Sequence, residues 1–205
     1  MQRVVQLALL ADGVSDKALQ RPLDWAVRQI DAGVMLADWQ FIPRRPPGGP
    51  LHAAVQAVRN DYKPDLLFVH RDAEAMPHAS RKSEIPTGPG LVAVVPVRMT
   101  EAWLLIDERA IRRASGNPNG SVPLDIPRAS KLDALSDPKK RLVELLVTAS
   151  EHRGRRLDRF KRADAVQLVA NYIEDFSSLR ALDAFVELER DLRAAWSGLA
   201  AKVTG

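Results

Sequence analysis

The fold is decided by the opening stretch Val4-Val5-Gln6-Leu7-Ala8-Leu9-Leu10-Ala11-Asp12-Gly13-Val14-Ser15-Asp16. Its first part, residues 4–10, is an apolar run with the length and composition of a buried strand. A helical pattern over residues 16–30 follows, in which Pro22 either kinks the helix or begins a second segment. A strand that passes through a short acidic turn into a helix is typical of a βαβ unit with parallel strands.

The same alternation continues through the first hundred residues. The proline- and glycine-rich run at 44–50 is expected to be a loop, because its three prolines lack amide donors. Residues 75–90 form a second, polar loop. The patterns predict strands at 35–42, 66–70 and 91–97 and a helix at 51–60. The sequence therefore predicts an α/β fold with a largely parallel sheet flanked by helices.

After residue 99 the pattern becomes helical. Asp137 and Pro138 start a helix, because Asp137 can accept a hydrogen bond from a first-turn amide and the missing N–H of Pro138 costs nothing there. This helix is expected to end near residue 149. A loop is expected before it, at 116–127, and two further helices are expected after it, at 163–173 and 178–200. We predict an α/β core over residues 1–114 and a helical C-terminal extension over 115–205, packed on the core as a single compact unit.

Composition excludes several classes of protein. The chain has 205 residues, 27% charged and 46% hydrophobic, which is the balance of a folded globular protein. It has no cysteine, which excludes disulfides and cysteine-ligated metals, and no Gly-rich loop followed by Lys-Ser or Lys-Thr, which excludes a P-loop nucleotidase. The first apolar run is far shorter than the roughly 20 residues of a membrane span. We expect a cytoplasmic protein without a membrane segment.

Acidic residues follow three of the predicted strands. Asp12 and Asp16 follow the first, Asp72 and Glu74 follow the strand at 66–70, and Glu101 follows the strand at 91–97. Because parallel strands end at the same edge of an open sheet, these groups should converge there. Carboxylate oxygens are the ligands that Mg²⁺ and Mn²⁺ prefer, and such an ion can clamp a phosphodiester and lower the pKa of an attacking water. The sequence therefore predicts a Mg²⁺ or Mn²⁺ site.

A plainer interpretation of each acidic group stays open. Asp12 and Gly13 have the composition of a simple turn, and Ser15 and Asp16 that of a helix cap. His70, at a strand end, is more often a structural histidine than a ligand. The joint order and placement of the acidic groups favour the metal site.

The order of these motifs resembles the Toprim fold of topoisomerases, primases and overcoming-lysogenization-defect nucleases. That family has Glu-Gly after the first strand, with the Glu as general acid or base, and a later Asp-x-Asp that holds Mg²⁺. The resemblance implies that Asp12 is the catalytic acid or base, with Gly13 and Asp16 matching the motif, although Asp12 stands where the family has Glu. The metal ligands it implies are Asp72 and Glu74, aided by Glu101, and Glu74 stands where the family has Asp.

A closer resemblance covers most of the chain and is to a family of uncharacterised Toprim-like single-domain proteins. It rests on the acidic-Gly-x-Ser-Asp start, His70-Arg71-Asp72, the string Arg98-Met99-Thr100-Glu101-Ala102-Trp103-Leu104-Leu105-Ile106-Asp107, Asp137-Pro138-Lys139-Lys140 and Ser177-Ser178-Leu179-Arg180. It implies a Toprim-like (Rossmann-like) fold and a metal site, and no particular substrate.

Basic residues indicate where a phosphate could bind. The net charge is +4, and residues 139–162 contain nine basic residues against three acidic ones. Such a segment can attract a polyanion, and a solvated helix face is the plainer alternative. Arg71 is the candidate for holding a substrate phosphate through parallel N–H bonds. The candidates for phosphate or nucleic-acid contact in the basic segment are Lys139, Lys140, Arg155 and Arg156.

Two functions remain open from the sequence. The first is a Mg²⁺-dependent phosphoryl-transfer enzyme, a nuclease or related phosphodiester hydrolase acting on nucleic acid. The second is a non-catalytic module with a degenerate metal site that binds a protein partner, as in a bacterial defence system. The apolar stripe of the helix at 178–200 is expected to pack on the core, and its breadth would also suit a homodimer contact.

Overall fold

The computed structural model describes residues 4–44, 49–74 and 76–204, the last five of them by their backbone alone. The strands are β1 Val4–Val5, β2 Leu7–Ala11, β3 Met35–Leu36, β4 Gln40–Pro43, β5 Leu66–His70 and β6 Leu91–Val94. The helices are α1 Gln20–Ile30, α2 Leu51–Tyr62, α3 His78–Ser83, α4 Glu108–Ala114, α5 Pro138–Ser150, α6 Arg155–Asp158, α7 Arg162–Tyr172 and α8 Asp183–Thr204.

The described residues fall into two compact units. The first combines the chain before residue 98 with the chain after residue 182, and the second is Arg98–Leu182. The sequence predicted a division after residue 114, with the last helix in the C-terminal extension. The structure groups α8 with the sheet, because α8 packs against β6 and α1 and buries Phe185 in that unit.

The first unit is built on parallel strands. β4, β2, β5 and β6 form a four-stranded sheet in that order, and β1 and β3 form a short ladder of two strands. Each of these pairings is parallel, which confirms the predicted α/β class. Because the chain moves from β2 outward to β4 and then back across to β5, the border between β2 and β5 is where the strand order reverses. If both crossovers have the usual right-handed sense, α1 and α2 lie on opposite faces of the sheet.

The structure departs from the sequence prediction in the first strand and in the polar loop, and it decides between the two alternatives left open at Pro22. The strand expected at 4–10 is interrupted at Gln6, whose N–H donates to Asp65 Oδ2 at 2.9 Å and whose carbonyl accepts from the Asp65 N–H at 2.9 Å. Pro22 begins a second segment: a 3₁₀ helix at Val14–Leu19 precedes α1, and Pro22 lies in the first turn of α1, where no N–H is needed. The polar loop at 75–90 contains the short helix α3. The loop expected at 44–50 lies partly outside the described residues.

One hydrophobic cluster of the first unit lies between α2 and one face of the sheet. β2 and β5 are buried along their whole length. The packed side chains are those of Ala8, Leu10, Leu51, Val55, Val58, Leu67, Val69, Ala73, Ile85 and Val95. A sheet buried in this way holds the carboxyl ends of its strands in fixed positions, which is what a site at that edge requires.

The second unit is helical and follows the local signals of its sequence. Asp137 caps α5 by accepting the Lys140 N–H at 2.8 Å, as its pairing with Pro138 predicted. Asp107 caps α4 by accepting the Ala110 N–H at 3.1 Å. Trp103 is 1% exposed and belongs to the core of this unit. Among the described helices of both units, none is long and apolar enough to cross a bilayer.

Candidate metal centre at the sheet edge

The residues singled out by the sequence lie at the point where the strand order reverses. Asp12, Gly13 and Asp16 follow β2, and Arg71 and Asp72 follow β5, the parallel neighbour of β2. In open α/β sheets the crevice at such a point is where ligands bind. The predicted convergence of the first and second motifs at one sheet edge is therefore present in the fold.

Asp16, His70 and Asp72 form a compact group. His70 lies between the two carboxylates, with Nδ1 3.4 Å from Asp16 Oδ2 and Nε2 3.0 Å from Asp72 Oδ1. One ligand atom from each of the three residues lies within 4.8 Å of the others. We call this group the Asp-His-Asp cluster.

The backbone after β2 orients Asp16. The Gly13 N–H donates to Asp16 Oδ2 at 2.8 Å, and the hydroxyl of Ser15 lies 3.4 Å from Asp16 Oδ1. Gly13 has φ −146°, an extended conformation that any residue adopts, so its backbone does not require glycine. Asp16 therefore accepts the N–H of Gly13, the N-cap of the 3₁₀ helix, and is also a member of the cluster; its role as a metal ligand stays a prediction.

Burial and charge act in opposite directions on His70. Complete burial lowers its pKa, but the hydrogen bonds to Asp16 and Asp72, together with the charges of both carboxylates, outweigh burial and raise the pKa to about 9. The imidazole is therefore positively charged at neutral pH. This charge balances one of the two carboxylates.

The donor set fits a divalent cation. Two carboxylate oxygens suit Mg²⁺ and Mn²⁺, whereas an imidazole nitrogen suits transition metals better than it suits Mg²⁺. A cation held by all three residues would need His70 in its neutral form, because a metal ligand must give up its proton. The donor chemistry therefore fits Mn²⁺ better than Mg²⁺.

Asp12, the predicted acid or base, is held by two arginines. Its Oδ1 accepts from Arg44 Nη1 at 2.7 Å and its Oδ2 accepts from Arg71 Nε at 2.9 Å. Arg71 Nη1 also donates to Glu84 Oε2 at 2.9 Å. Arg71 and Asp12 are therefore in contact, as expected of two residues of one site, but both carboxylate oxygens of Asp12 accept hydrogen bonds from guanidinium groups.

Glu74 occupies a different position from the one its motif implies. Its side chain is 68% exposed and its Oε2 lies 3.9 Å from Arg81 Nη2. Its backbone has φ 54°, a left-handed conformation that is unusual for a residue other than glycine, asparagine or aspartate. Glu74 is not part of the Asp-His-Asp cluster, so its assignment as a metal ligand stays a prediction.

The remaining predicted residues belong to the second unit. Glu101 is 6% exposed in the 3₁₀ helix Thr100–Leu104, and its Oε1 lies 3.9 Å from Lys139 Nζ. Lys139 and Lys140 lie in the first turn of α5, whereas Arg155 and Arg156 begin α6, and all four side chains are exposed. Their roles in metal or phosphate binding stay predictions.

Sequence reasoning did not assign His70 to the site, and it did not identify Arg44, which pairs with Asp12, or Arg81 and Glu84, which extend the ion pairs from Arg71. His70 ends a strand of five fully buried residues, and a polar residue closing such a run is a signal that could have identified it. No comparable signal exists for Arg44, because its partner Asp12 follows another strand, whereas Arg81 and Glu84 are three residues apart and form a local ion pair with each other.

Comparison with known proteins adds nothing to these observations. The chain matches no protein-family model, no curated protein and no solved structure. The Toprim-like family assignment therefore stays a prediction carried by the motifs, and the chemistry of the sheet edge has to be argued from its own residues.

Proposed function

We propose that the protein is a Toprim-like, divalent-metal-dependent phosphoryl-transfer protein, a nuclease or related phosphodiester hydrolase. The observation that carries this proposal is the Asp-His-Asp cluster at the β2–β5 border. Two carboxylates and an imidazole at the reversal point of a parallel sheet combine metal-ligating chemistry with the place where such folds bind ligands.

The residues at this edge of the sheet would have separate roles in binding the metal, binding the phosphate and transferring a proton. Asp16 and Asp72 would hold the cation, and His70 would serve as a third ligand once it is neutral. A bound cation would supply charge stabilisation at a phosphoryl oxygen and a more acidic water. Arg71, the nearest guanidinium in sequence, would hold the substrate phosphate, and Asp12 would act as acid or base when it is free of its arginine partners.

A second function is favoured by a specific observation, the double ion pair of Asp12 with Arg44 and Arg71. A carboxylate held in this way is a structural counter-ion, as expected of a non-catalytic module with a degenerate site that binds a protein partner. Nucleic acid is the partner expected for the enzyme. A partner protein or a second copy of the chain is the partner expected for the module.

The proposal is tested by titrating Mn²⁺ and Mg²⁺ into chelator-treated protein and following thermal unfolding of the wild type, Asp72→Asn and Glu74→Gln. A ligand that binds only the native state stabilises it by roughly 2.7 kcal/mol at a hundredfold excess over Kd. We expect this stabilisation in the wild type, larger affinity for Mn²⁺ than for Mg²⁺, and its loss in Asp72→Asn. Glu74→Gln also removes one carboxylate charge after β5: it should behave as the wild type does if the Asp-His-Asp cluster holds the ion, and it should lose the stabilisation if Glu74 is a ligand as the motif implies.

A nuclease screen completes the test. Metal-dependent hydrolysis of single- or double-stranded DNA or RNA by the wild type, lost in Asp72→Asn, would support the enzyme. Metal stabilisation that is the same in Asp72→Asn and the wild type, or absent from both, would contradict the metal site. Metal binding without hydrolysis of any of these substrates would favour the non-catalytic module.

A further inference from the structure

Three arginines converge on two carboxylates at the same sheet edge. Arg44 and Arg71 both donate to Asp12, at 2.7 and 2.9 Å. Arg71 and Arg81 both donate to Glu84, at 2.9 Å for Arg71 Nη1 and 3.1 Å for Arg81 Nη1, both measured to Oε2. We call Arg44, Arg71 and Arg81 the arginine cluster.

The members come from different elements that meet at one place. Asp12 follows β2, Arg44 follows β4 and Arg71 follows β5, three adjacent strands of the sheet. Arg81 lies in α3, and Glu84 directly follows that helix. Such an assembly at the carboxyl ends of parallel strands has the location of a ligand site rather than of an ordinary surface ion pair.

The arginines are more deeply buried than the carboxylates. The side chains of Arg44, Arg71 and Arg81 are 7%, 20% and 10% exposed, whereas those of Asp12 and Glu84 are 36% and 35% exposed. An anion arriving from solvent would therefore meet the carboxylates first and could take their place against guanidinium groups that stay where they are.

The polar groups of this assembly leave room for a further acceptor. Arg81 Nε is buried without a hydrogen-bond partner among the described residues, and the third carboxylate near the arginine cluster, that of Glu74, lies 3.9 Å from Arg81 Nη2 on a side chain that is 68% exposed. An unpaired buried donor is costly. A phosphate offers several charged acceptor oxygens, and the planar guanidinium fork matches them through paired N–H bonds.

We propose that the arginine cluster binds a phosphate group, which displaces Asp12 and Glu84 from the guanidinium groups. The inference rests on the proposed function in one respect, since the phosphate would belong to the phosphodiester substrate. It also changes the role of Asp12, because its carboxylate is free to act as acid or base only when phosphate has taken its arginine partners. Substrate binding and release of the acid or base are then a single event.

The test measures the binding of inorganic phosphate by calorimetry in excess chelator, without any divalent metal. Asp12→Asn keeps a hydrogen-bond acceptor and removes the competing charge. We therefore expect it to bind phosphate roughly fivefold more tightly than the wild type. This factor in Kd corresponds to the free energy at the upper end of the range for one exposed ion pair. Glu84→Gln should tighten binding in the same direction, and Arg71→Gln should weaken it at least about tenfold.

Asp24→Asn is the matched control. Asp24 is also paired with an arginine, Arg28 on the same helix at 2.9 Å, and its side chain is 29% exposed. The substitution therefore changes the net charge by the same amount outside the arginine cluster, and phosphate affinity should stay at the wild-type value. Thermal unfolding of each variant verifies that it is folded, and Asp12→Asn and Glu84→Gln alter side chains that are about one-third exposed.

The outcomes separate this inference from the proposed function. If Asp12→Asn and Asp24→Asn increase the affinity for phosphate equally, the increase is an effect of net charge alone. If phosphate affinity is unchanged or lower in both Asp12→Asn and Glu84→Gln, these carboxylates do not compete with phosphate. Either result overturns the proposal. Asp72→Asn, which tests the metal site, is expected to bind phosphate as the wild type does, so loss of the metal site would leave this inference standing.

Discussion

His70 illustrates how two partners can reverse the effect of burial on a single side chain. The imidazole is fully buried, which by itself disfavours its charged form, yet the carboxylates of Asp16 and Asp72 hold it in that form. The contribution of His70 to the free energy of unfolding therefore depends on pH, and this dependence is measurable.

We expect the protein to lose stability as the pH rises from neutral towards 10 in the presence of chelator. The pKa of His70 is about 9 in the folded state and 6.5 in the unfolded state, so its contribution is fully present below pH 6.5 and is lost as the pH passes through 9. The difference corresponds to a contribution on the order of 3 kcal/mol. Urea unfolding of the wild type at a series of pH values measures it.

His70→Asn is the comparison for this prediction. The asparagine side chain does not titrate, so the difference in unfolding free energy between wild type and variant should narrow between pH 6.5 and 9. A constant difference over that range would mean that His70 is not charged in the folded protein.

At the scale of single elements, short-range signals account for the helix starts of the second unit. Asp137 and Pro138 begin α5 as their sequence predicts, with the Asp137 carboxylate accepting the Lys140 N–H.

Contacts between elements cannot be predicted from short-range signals. Lys82 on α3 reaches Glu187 and Asp191 on α8 at 2.8 and 2.6 Å, and although partial burial lowers its pKa, these two hydrogen bonds raise it overall. No local sequence pattern indicates these two ion pairs.

Asp137→Ala should destabilise α5 by about 1 kcal/mol, because it leaves a first-turn N–H without its acceptor. Asp137→Asn should retain most of the stability, since the amide oxygen can accept the same bond. Thermal unfolding of the two variants beside the wild type measures the effect. Equal loss in both variants would assign the effect to the charge of Asp137 rather than to capping.

At the scale of the whole molecule, the first unit is assembled from both ends of the chain. Residues before 98 supply the sheet, and α8 supplies buried side chains to the same unit. Phe185 is fully buried and its ring centroid lies 6.3 Å from that of Trp25 on α1. The last helix is therefore part of the unit that carries the candidate site, rather than of a separate helical extension.

Phe185→Ala should destabilise the protein by about 3–5 kcal/mol, the usual cost of removing a buried aromatic ring. The neighbouring Val186 is 47% exposed on the same helix, and Val186→Ala should change the unfolding free energy by no more than about 0.5 kcal/mol. Urea unfolding measures both. Similar small effects in the two variants would contradict the placement of α8 in the core of the first unit.

Much of the fold could be read along the chain, because strands and helices follow from the order of neighbouring residues. The parallel α/β class, the strand Leu66–His70 and the start of α5 depend on apolar periodicity and on capping within a few residues. The edge at which the site lies also follows, since parallel strands bring their carboxyl ends together.

The composition of the site depended on tertiary structure. Arg44 is 32 residues and Arg71 is 59 residues from Asp12, and their ion pairs exist only because β4, β2 and β5 lie side by side. The motif paired Asp72 with Glu74, whereas the folded chain pairs Asp72 with His70. Which side chains share a site is decided by the three-dimensional positions of strand ends and by the charges they must balance, and neither is encoded in local spacing.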